Sequence, residues 1–347
     1  MLQNGNAIVT FGGGLTPCAK DILMMLARGI KNFHHSVYIG CSSFESLIDS
    51  SLLKRYGKDL EEEVQSKSGG YFGTARSVDM TVNERREKAI IQLQKNNIRR
   101  LVVVGGDGSS RNLAESYKYF EEIGIQSVFA IPMTIDAIEG GKAIGLRQAE
   151  RESSRHVELF ANASLNTRDK GKYGIATVTF HGRNRDNILA NVLRRFVNRG
   201  RLGDFELSSL DIFVVPANID TNLAKLVKLA EDSQKRVLIL LSEGAEVKGE
   251  ELEWLITGKK VRNHKVNHLS QVNEQTTERD LQVYQKWVDF VVEEIRNTPT
   301  QSFSTAKNND IYTREAIDYY ALKNPRKGQE VTLDEDLYNL LEKYVIA

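Results

Sequence analysis

The most constraining feature of the sequence is a short apolar run that ends in glycines. Residues 101–104 are apolar and mostly β-branched, and Gly105-Gly106-Asp107-Gly108-Ser109 follow directly. A run of this length and composition is typical of a buried parallel strand. A helical pattern then begins at about Ser110. The order of strand, glycine turn and helix predicts an α/β protein with a mainly parallel sheet.

The same turn is a candidate phosphate site. Glycines let an anion approach the backbone, and a helix N-terminus offers unpaired N–H groups and the positive end of its dipole. Asp107 would repel a bare phosphate, but it fits if a divalent cation such as Mg²⁺ lies between carboxylate and phosphate oxygens. A tight turn with Asp107 as the helix N-cap explains the residues equally well, and the motif alone leaves both interpretations open.

A second acidic residue follows a neighbouring strand. Residues 128–131 are apolar, and Pro132-Met133-Thr134-Ile135-Asp136 come next. Together with the first turn, this segment resembles the phosphofructokinase family, whose members carry Gly-Gly-Asp-Gly-Ser and then Thr-Ile-Asp-Asn-Asp at this separation. Lipid and NAD kinases share the first motif, so the rest of the chain must decide.

Further motifs extend the resemblance over residues 8–297. Residues 69–76 match a glycine-rich run that ends in Arg76, residues 181–183 stand where the family has Met-Gly-Arg, and residues 242–244 resemble its Ala-Glu-Gly. These later motifs have no place in lipid or NAD kinases. The resemblance implies two doubly wound Rossmann-like domains of mainly parallel sheet. Donor phosphates would bind to residues 1–147 and 270–320, and a sugar phosphate to residues 148–269 and 321–347.

The resemblance also implies the roles of individual residues. Asp136 would be the general base, Thr134 would contact the transferring group, Arg76 would neutralise developing charge, and Asp107 would hold Mg²⁺. The donor, ATP or pyrophosphate, would lie on Gly13, Gly14, Gly105, Gly106, Gly108 and Ser109. Fructose 6-phosphate or a similar sugar phosphate would bind to Thr134, Asp136, His181, Gly182, Arg183, Glu243, Arg262 and His268. The implied activity is that of a 6-phosphofructokinase in glycolysis.

The sequence departs from the family pattern in two motifs. Ile138 occupies the position of a second loop carboxylate, with Glu139 beside it, and Gln271 replaces an arginine after His268. His181 stands where the family has Met. These departures support an alternative, in which the chain is a catalytically impaired paralogue that binds sugar phosphate or nucleotide as a regulatory protein.

The identity of the donor is also left open. Gly108 resembles the ATP users, whereas residues 13–18 (Gly-Gly-Leu-Thr-Pro-Cys) resemble the first glycine loop of pyrophosphate users. Met133 matches neither the Gly of ATP users nor the Lys of pyrophosphate users.

Composition restricts the compartment and the partners. The 347 residues carry 47 Lys and Arg against 46 Asp and Glu, so the formal net charge is +1. This balance gives no support to a nucleic-acid or membrane partner. The chain has two cysteines, Cys18 and Cys41, and so low a number suits a reducing compartment. With no apolar run long enough to span a bilayer and no signal-like start, we expect a cytoplasmic protein. The resemblance implies a homo-oligomer, either a dimer or a tetramer.

Periodicity predicts the remaining elements. We expect strands at residues 7–11, 37–40, 175–180, 210–216 and 237–241, and helices after Pro17 and at residues 84–97, 147–166 and 278–295. Residues 43–68 are polar and also read as helical.

Overall fold

A computed structural model describes residues 5–13, 18–34, 36–75, 80, 82–125, 127–133, 146–169, 172–181, 186–217, 219–267, 276–297, 302–307, 310–314 and 335–345. The chain divides into two compact units. Unit 1 contains Met1–Leu146 and Val272–Gln329, and unit 2 contains Arg147–Gln271 and Glu330–Ala347. The donor and sugar-phosphate roles given to the two domains stay predictions.

Unit 1 is built on a mixed sheet. Its described strands are β1 (Asn6–Gly13), β2 (Val37–Gly40), β3 (Leu53–Arg55), β4 (Ile98–Gly105), β5 (Ser127–Pro132), β14 (Ser302–Lys307) and β15 (Asp310–Arg314). Its described helices are α1 (Ala19–Lys31), α2 (Glu45–Ile48), α3 (Lys58–Val64), α4 (Asn83–Lys95), α5 (Asp107–Glu122) and α10 (Glu278–Asn297). The strands lie in the order β15-β14-β5-β4-β1-β2-β3. The five central strands are parallel, whereas β3 and β15 pair antiparallel at the two edges.

Helices cover both faces of this sheet. On one face, β1 and β4 pack with α1 and α10, and on the other they pack with α4 and α5. The helix α1 buries Ile22, Leu23, Leu26 and Ile30, which recur at helical spacing. A Cβ at Gly29 would lie 2.6 Å from Cγ2 of Val292, so this glycine lets α1 and α10 approach closely. Unit 1 is therefore doubly wound, as predicted.

Unit 2 contains a smaller sheet. Its described strands are β6 (Arg168–Asp169), β7 (Lys172–Tyr173), β8 (Ile175–Phe180), β9 (Arg201–Leu202), β10 (Phe205–Glu206), β11 (Leu210–Val215), β12 (Arg236–Ser242) and β13 (Val261–Val266). Its described helices are α6 (Leu146–Leu165), α7 (Asn187–Arg199), α8 (Leu223–Asp232), α9 (Gly249–Leu255) and α11 (Glu335–Glu342). Four strands form a parallel sheet in the order β11-β12-β8-β13. Leu226 and Ala230 of α8 and Leu252 of α9 pack against one face of it.

The α/β fold with mainly parallel sheets is confirmed, and three local expectations need correction. β1 continues through Gly12 and Gly13 instead of ending before them. α5 begins at Asp107, not at about Ser110. Residues 43–68 are only partly helical, because β3 forms between α2 and α3. In the described part of the chain, every helix is too short or too polar to cross a membrane.

Candidate functional site

The carboxyl ends of β1 and β4 meet in unit 1 with very little space between them. Gly13 pairs with Gly105, and Gly12 lies at a register shift between Phe11 and Gly13. A Cβ at Gly12 would lie 2.2 Å from Oγ of Ser109, and one at Gly105 would lie 2.8 Å from the same atom. Neither position has room for a side chain. The first turn of α5 therefore packs directly on the backbones of two adjacent strand ends.

Gly106 and Asp107 define how α5 begins. Gly106 occupies the N-cap position in extended conformation, and Asp107 is the first helical residue. The N-cap interpretation of Asp107 is therefore wrong. Ser109 is 8% exposed, and its N–H donates to the carbonyl of Gly106 at 3.0 Å. The start of this long helix directs backbone N–H groups towards the same end of the sheet, which suits an anion.

A strained turn after β2 fixes the backbone at Gly12. Ser42 and Ser43 have φ angles of 58° and 62°, in the left-handed region that side chains other than glycine rarely adopt. The hydroxyl of Ser43 donates to the carbonyl of Gly12 at 3.0 Å, and that of Thr10 donates to the carbonyl of Gly40 at 3.0 Å. Strain of this kind concentrates at functional sites. We did not predict this turn, because no sequence pattern marks a left-handed serine.

The loop that leads to Arg76 is held on both sides. The N–H of Lys20 in α1 donates to the carbonyl of Gly69 at 3.0 Å, and its ammonium donates to the carbonyl of Lys67 at 2.7 Å. The N–H of Ser42 donates to the carbonyl of Phe72 at 2.8 Å. Arg76 itself lies outside the described residues. The described part of the loop is nevertheless anchored to α1 and to the turn after β2.

Met133 follows β5 and packs into the core. Its N–H donates to the carbonyl of Gly105 at 2.9 Å, and its sulfur lies 3.7 Å from Sγ of Cys18. Both side chains are fully buried. At this position the chain therefore presents no polar or charged group to a donor. The next predicted site residues lie outside the described residues, namely Thr134, Asp136, Ile138 and Glu139.

The metal prediction rests on Asp107, whose backbone is described and whose side chain is not. Among the described residues, no group of three or more His, Cys, Asp or Glu is placed to hold a metal ion. Mg²⁺ does not need such a group, since it is usually bound by one or two carboxylates together with substrate phosphates and water. Asp107 is the first residue of α5 and follows the glycine turn directly. A lone aspartate in the sequence at this position is compatible with Mg²⁺ carried by a phosphate ligand.

The corresponding end of the sheet in unit 2 carries charged side chains. Nδ1 of His181, after β8, lies 3.0 Å from Oε1 of Glu243, after β12. The N–H of His181 donates to the carbonyl of Val266 at the end of β13. The side chains of His181 and Glu243 are 34% and 40% exposed, so a ligand can reach both. The structure thus brings together two of the predicted sugar-phosphate residues.

Asp186 is a buried carboxylate that we did not predict as part of this site. It is 1% exposed and precedes α7. Its Oδ1 accepts a hydrogen bond from the hydroxyl of Ser242 and another from the N–H of Ala217 at 2.8 Å. An aspartate before a helical pattern would be expected to cap that helix, but this side chain makes no cap hydrogen bond. It instead ties the start of α7 to the ends of β11 and β12.

Arg262 lies at the other end of the unit 2 sheet. It pairs with Ala176 near the start of β13, whereas His181 and Glu243 follow the carboxyl ends of their strands. The separation along β13 from Arg262 to Val266 is roughly 13 Å at about 3.3 Å per residue. Within unit 2, the structure therefore does not bring Arg262 together with His181 and Glu243. Gly182, Arg183 and His268 lie outside the described residues.

Comparison with known proteins finds similarity to one family over the residues of this site. Residues 6–142 match the family model described as Phosphofructokinase. This part of the chain is similar to a phosphofructokinase domain. It contains β1, β4, β5 and the glycine turn before α5, so the family match covers the whole candidate phosphate site of unit 1.

Curated relatives agree over the same region. The ATP-dependent 6-phosphofructokinase of Thermotoga neapolitana is 33% identical over 130 residues, which are 38% of this chain and 39% of that protein. The ATP-dependent 6-phosphofructokinase of Sulfurimonas denitrificans is 34% identical over 134 residues, with the same coverage. The matched region is thus well under half of each relative.

Solved structures extend the similarity to the whole fold. The pyrophosphate-dependent phosphofructokinase of Marinobacter aquaeolei has a TM-score of 0.74 at 14% identity, over 99% of this chain and 92% of that one. The Pichia pastoris phosphofructokinase in the T-state has a TM-score of 0.72 at 17% identity, over 92% of this chain and 36% of that one. At these identities the similarity shows the fold, so the chain has the phosphofructokinase fold in both units.

Proposed function

We propose that the chain is a 6-phosphofructokinase-like phosphotransferase that acts on fructose 6-phosphate or a similar sugar phosphate. The observation that carries the proposal is the close contact of Gly12 and Gly105 with Ser109. Only glycine permits this contact at positions 12 and 105, because a Cβ at either would clash with Ser109. A backbone surface of this kind beside a helix N-terminus is suited to binding phosphate groups. The family match lies on the same residues.

In the proposed reaction, the donor phosphates bind to the backbone around Gly13, Gly14, Gly105, Gly106, Gly108 and Ser109. The sugar phosphate binds to unit 2 through His181, Gly182, Arg183, Glu243 and His268. Unit 1 presents glycine turns and unit 2 presents charged side chains. This difference fits the two ligands, because phosphates accept backbone N–H bonds whereas sugars need directional side-chain partners.

Asp136 takes the proton from the attacking sugar hydroxyl, as a positioned carboxylate can. The sugar oxygen forms a bond to the terminal phosphorus of the donor while the bridging P–O bond breaks, and ADP or phosphate leaves. Thr134 donates to a transferring oxygen, and Arg76 balances the negative charge that develops there. Asp107 would hold Mg²⁺, which supplies charge neutralisation at the donor phosphates when bound.

The donor is ATP or pyrophosphate. The curated relatives named above are called ATP-dependent, whereas the Marinobacter structure is called pyrophosphate-dependent. Buried Met133 adds no cation at the end of β5, so it offers pyrophosphate no direct charge partner. Gly108 likewise leaves room for a nucleotide. These two residues favour ATP within the proposal.

The position of Arg262 supports an assembly in which it serves another subunit. A guanidinium at the amino end of β13 is remote from His181 and Glu243 of its own unit. We propose that Arg262, together with Lys170 or Lys172, supplies positive charge to the sugar-phosphate site of a second copy in a dimer or tetramer. Light scattering that shows a monomer with full sugar-phosphate affinity would contradict this assembly.

A coupled assay of the purified protein with fructose 6-phosphate tests the proposal, comparing ATP with pyrophosphate. Turnover with either donor supports it and identifies the donor. The variants Ile138→Asp and Glu139→Gln then locate the second carboxylate. If Ile138 leaves the metal short of a ligand, Ile138→Asp raises kcat at least about tenfold, or about 1.4 kcal/mol of barrier. If Glu139 has replaced that carboxylate, Glu139→Gln lowers kcat instead. No turnover with any donor or variant would support the binding paralogue.

A further inference from the structure

The turn after β2 carries two side chains at positions where glycine would be the less strained residue. Ser42 and Ser43 have φ angles of 58° and 62°, and in the described part of the chain the other non-glycine residue with a positive φ is Asn97. Glycine adopts this region without steric cost, whereas a Cβ crowds the backbone there. A serine at such a position is expected to make a contact that glycine cannot make, because the contact offsets the strain.

Ser43 makes a contact of this kind with the end of β1. It is fully buried, and its hydroxyl donates to the carbonyl of Gly12 at 3.0 Å. The pairing of β1 with β2 ends at Thr10 and Gly40, so Gly12 lies beyond the last strand pair on this side. A buried carbonyl needs a donor, and the Ser43 hydroxyl supplies the one that β2 does not. Ser43 therefore fixes the orientation of the peptide that leads into Gly13.

Two further hydroxyls hold this turn on the strand ends. The hydroxyl of Ser46 donates to the carbonyl of Ser43 at 2.7 Å, and that of Thr10 donates to the carbonyl of Gly40 at 3.0 Å. A Cβ at Gly40 would lie 2.2 Å from Oγ of Ser46 and 2.7 Å from Oγ1 of Thr10, so these side chains pack directly on the backbone. Because such a close-packed interior is hardly compressible, the turn transmits a shift at one of its contacts to the others.

The other contact of the turn is with residues 69–75. The N–H of Ser42 donates to the carbonyl of Phe72 at 2.8 Å, and Phe72 is 4% exposed. Gly73 has a φ of 68°, and a Cβ at this position would lie 3.5 Å from Oγ of Ser42. Residues 69–75 therefore pack on the same turn that holds Gly12.

We propose that Ser43 is a positioning residue that couples the end of β1 to residues 69–75. Its hydroxyl orients Gly12 and the backbone of its neighbour Ser42 holds the loop, so both sides of the donor site have one support. The inference rests on the proposed function for the identity of its ligand, because the sequence resemblance places Arg76 directly after this loop. The coupling itself is a property of the free protein.

The test compares two variants that both remove the hydroxyl but differ in backbone strain. Ser43→Gly relieves the positive φ, whereas Ser43→Ala retains the strain. Calorimetric titration of the full chain with ATP and Mg²⁺, and separately with pyrophosphate and Mg²⁺, measures donor affinity. We expect both variants to bind the donor roughly three- to tenfold more weakly than the wild type, as for the loss of one buried hydrogen bond. Their affinity for fructose 6-phosphate should not change.

Ser154→Ala is the matched control. It removes another buried hydroxyl, which donates to the carbonyl of Glu150 at 2.8 Å within α6 of unit 2. This variant should bind the donor as the wild type does. An equal loss of donor affinity in Ser154→Ala would show a general effect of lowered stability and would overturn the proposal.

A purely structural role for the turn predicts a different order of affinities. Ser43→Gly, as the less strained variant, would then bind the donor as well as the wild type, and that result also overturns the proposal. If Ser43→Ala does not fold, Ser43→Gly carries the test alone, since its backbone is free of the strain.

Amide hydrogen exchange of the free protein tests the coupling without any ligand. The N–H of Gly73 donates to the carbonyl of Gly70 at 2.9 Å, within the loop that the turn supports. Its exchange should be roughly three- to tenfold faster in both Ser43 variants, and unchanged in Ser154→Ala. Faster exchange in a protein that binds neither donor supports the coupling and rejects the proposed function. Unchanged exchange in both Ser43 variants overturns the coupling, whatever the donor affinity.

Discussion

The two units end their parallel sheets in opposite ways. In unit 1, the ends of β1 and β4 are made of glycines, and Ser109 packs against them with no room for a Cβ. In unit 2, the ends of β8 and β12 carry His181 and Glu243, which meet at 3.0 Å and are open to solvent. Parallel sheets place ligand sites at this end in both cases. One unit presents backbone there and the other presents side chains.

The difference shows that one topology can present two kinds of surface at the same end of its sheet. A backbone surface binds phosphate oxygens through N–H groups that cannot change charge, and its tolerance for substitution is low. A surface of paired side chains such as His181 and Glu243 offers directional hydrogen-bond partners instead. The buried supports differ accordingly: a strained serine turn holds Gly12, whereas the carboxylate of Asp186 holds Ser242. The following substitutions test this contrast.

The largest expected effect separates chemistry in unit 1 from binding in unit 2. Asp136→Asn should lower kcat by roughly two to four powers of ten, because the general base is lost, and leave the affinity for sugar phosphate nearly intact. Glu243→Gln should raise KM for the sugar about tenfold and change kcat less. Steady-state kinetics of both variants, with whichever donor the coupled assay identifies, measure this. An unchanged kcat for Asp136→Asn would exclude Asp136 as the general base.

A methyl group added to the backbone surface should have the next largest effect. Gly12→Ala places a Cβ 2.2 Å from Oγ of Ser109, so either β1 or α5 must move. We expect a loss of about 1–3 kcal/mol in the free energy of unfolding, as for other overpacked sites, and weaker donor binding. Urea denaturation measures the free energy of unfolding, and titration with the donor measures its affinity.

The matched control for that variant is Gly57→Ala, since no atom lies within 4 Å of a Cβ at Gly57. It should leave donor binding unchanged. Adding Ser109→Gly to Gly12→Ala should restore most of the stability, because it removes the clashing side chain. Failure of that double variant to recover stability would place the clash elsewhere.

In unit 2, we expect the buried side chain of Asp186 to stabilise the fold through its hydrogen bonds more than through its packing. Asp186→Ala removes the acceptor for Ser242 and for the N–H of Ala217, which should cost about 1–3 kcal/mol of stability. Asp186→Asn keeps one acceptor oxygen and should cost less. Equal losses for the two variants in urea denaturation would show that the side chain acts through packing instead.

The smallest expected effect concerns acid sensitivity of unit 2 away from its ligand site. Burial, and then the nearby His156, lower the pKa of His264, whose ring also stacks on Phe160 at 5.0 Å. The folded state therefore binds fewer protons than the unfolded state, and stability is lost as pH falls through the ordinary histidine value and towards the lowered one. His264→Phe keeps an aromatic ring and should reduce this loss.

Unfolding free energies of wild type and His264→Phe at about pH 8 and about pH 5 measure the effect, on either side of the histidine range. The two proteins should differ most at the lower pH. Parallel pH dependence of wild type and His264→Phe would exclude His264 as a source of acid sensitivity.

Much of the architecture follows from local sequence. Runs such as residues 101–104 and 175–180 are rich in apolar and β-branched residues, and strands form there because both faces of a parallel sheet are buried. The helices α1 and α10 follow from apolar residues at helical spacing. The glycines after residue 104 predicted a close backbone approach, and the structure shows it at Gly105.

The features that only the tertiary structure decided depend on contacts between residues that are far apart in the sequence. Gly12 belongs to β1 because it pairs beside Gly105 and receives the hydroxyl of Ser43, none of which is local in sequence. Asp186 looks like a helix cap, yet it bonds to Ser242 and Ala217 because the sheet brings those strand ends within reach. Arg262 was grouped with His181 by motif spacing, but the direction of β13 places it at the far end of the sheet. Spacing along the chain does not determine which end of a strand a residue occupies, since that depends on where the strand enters the sheet.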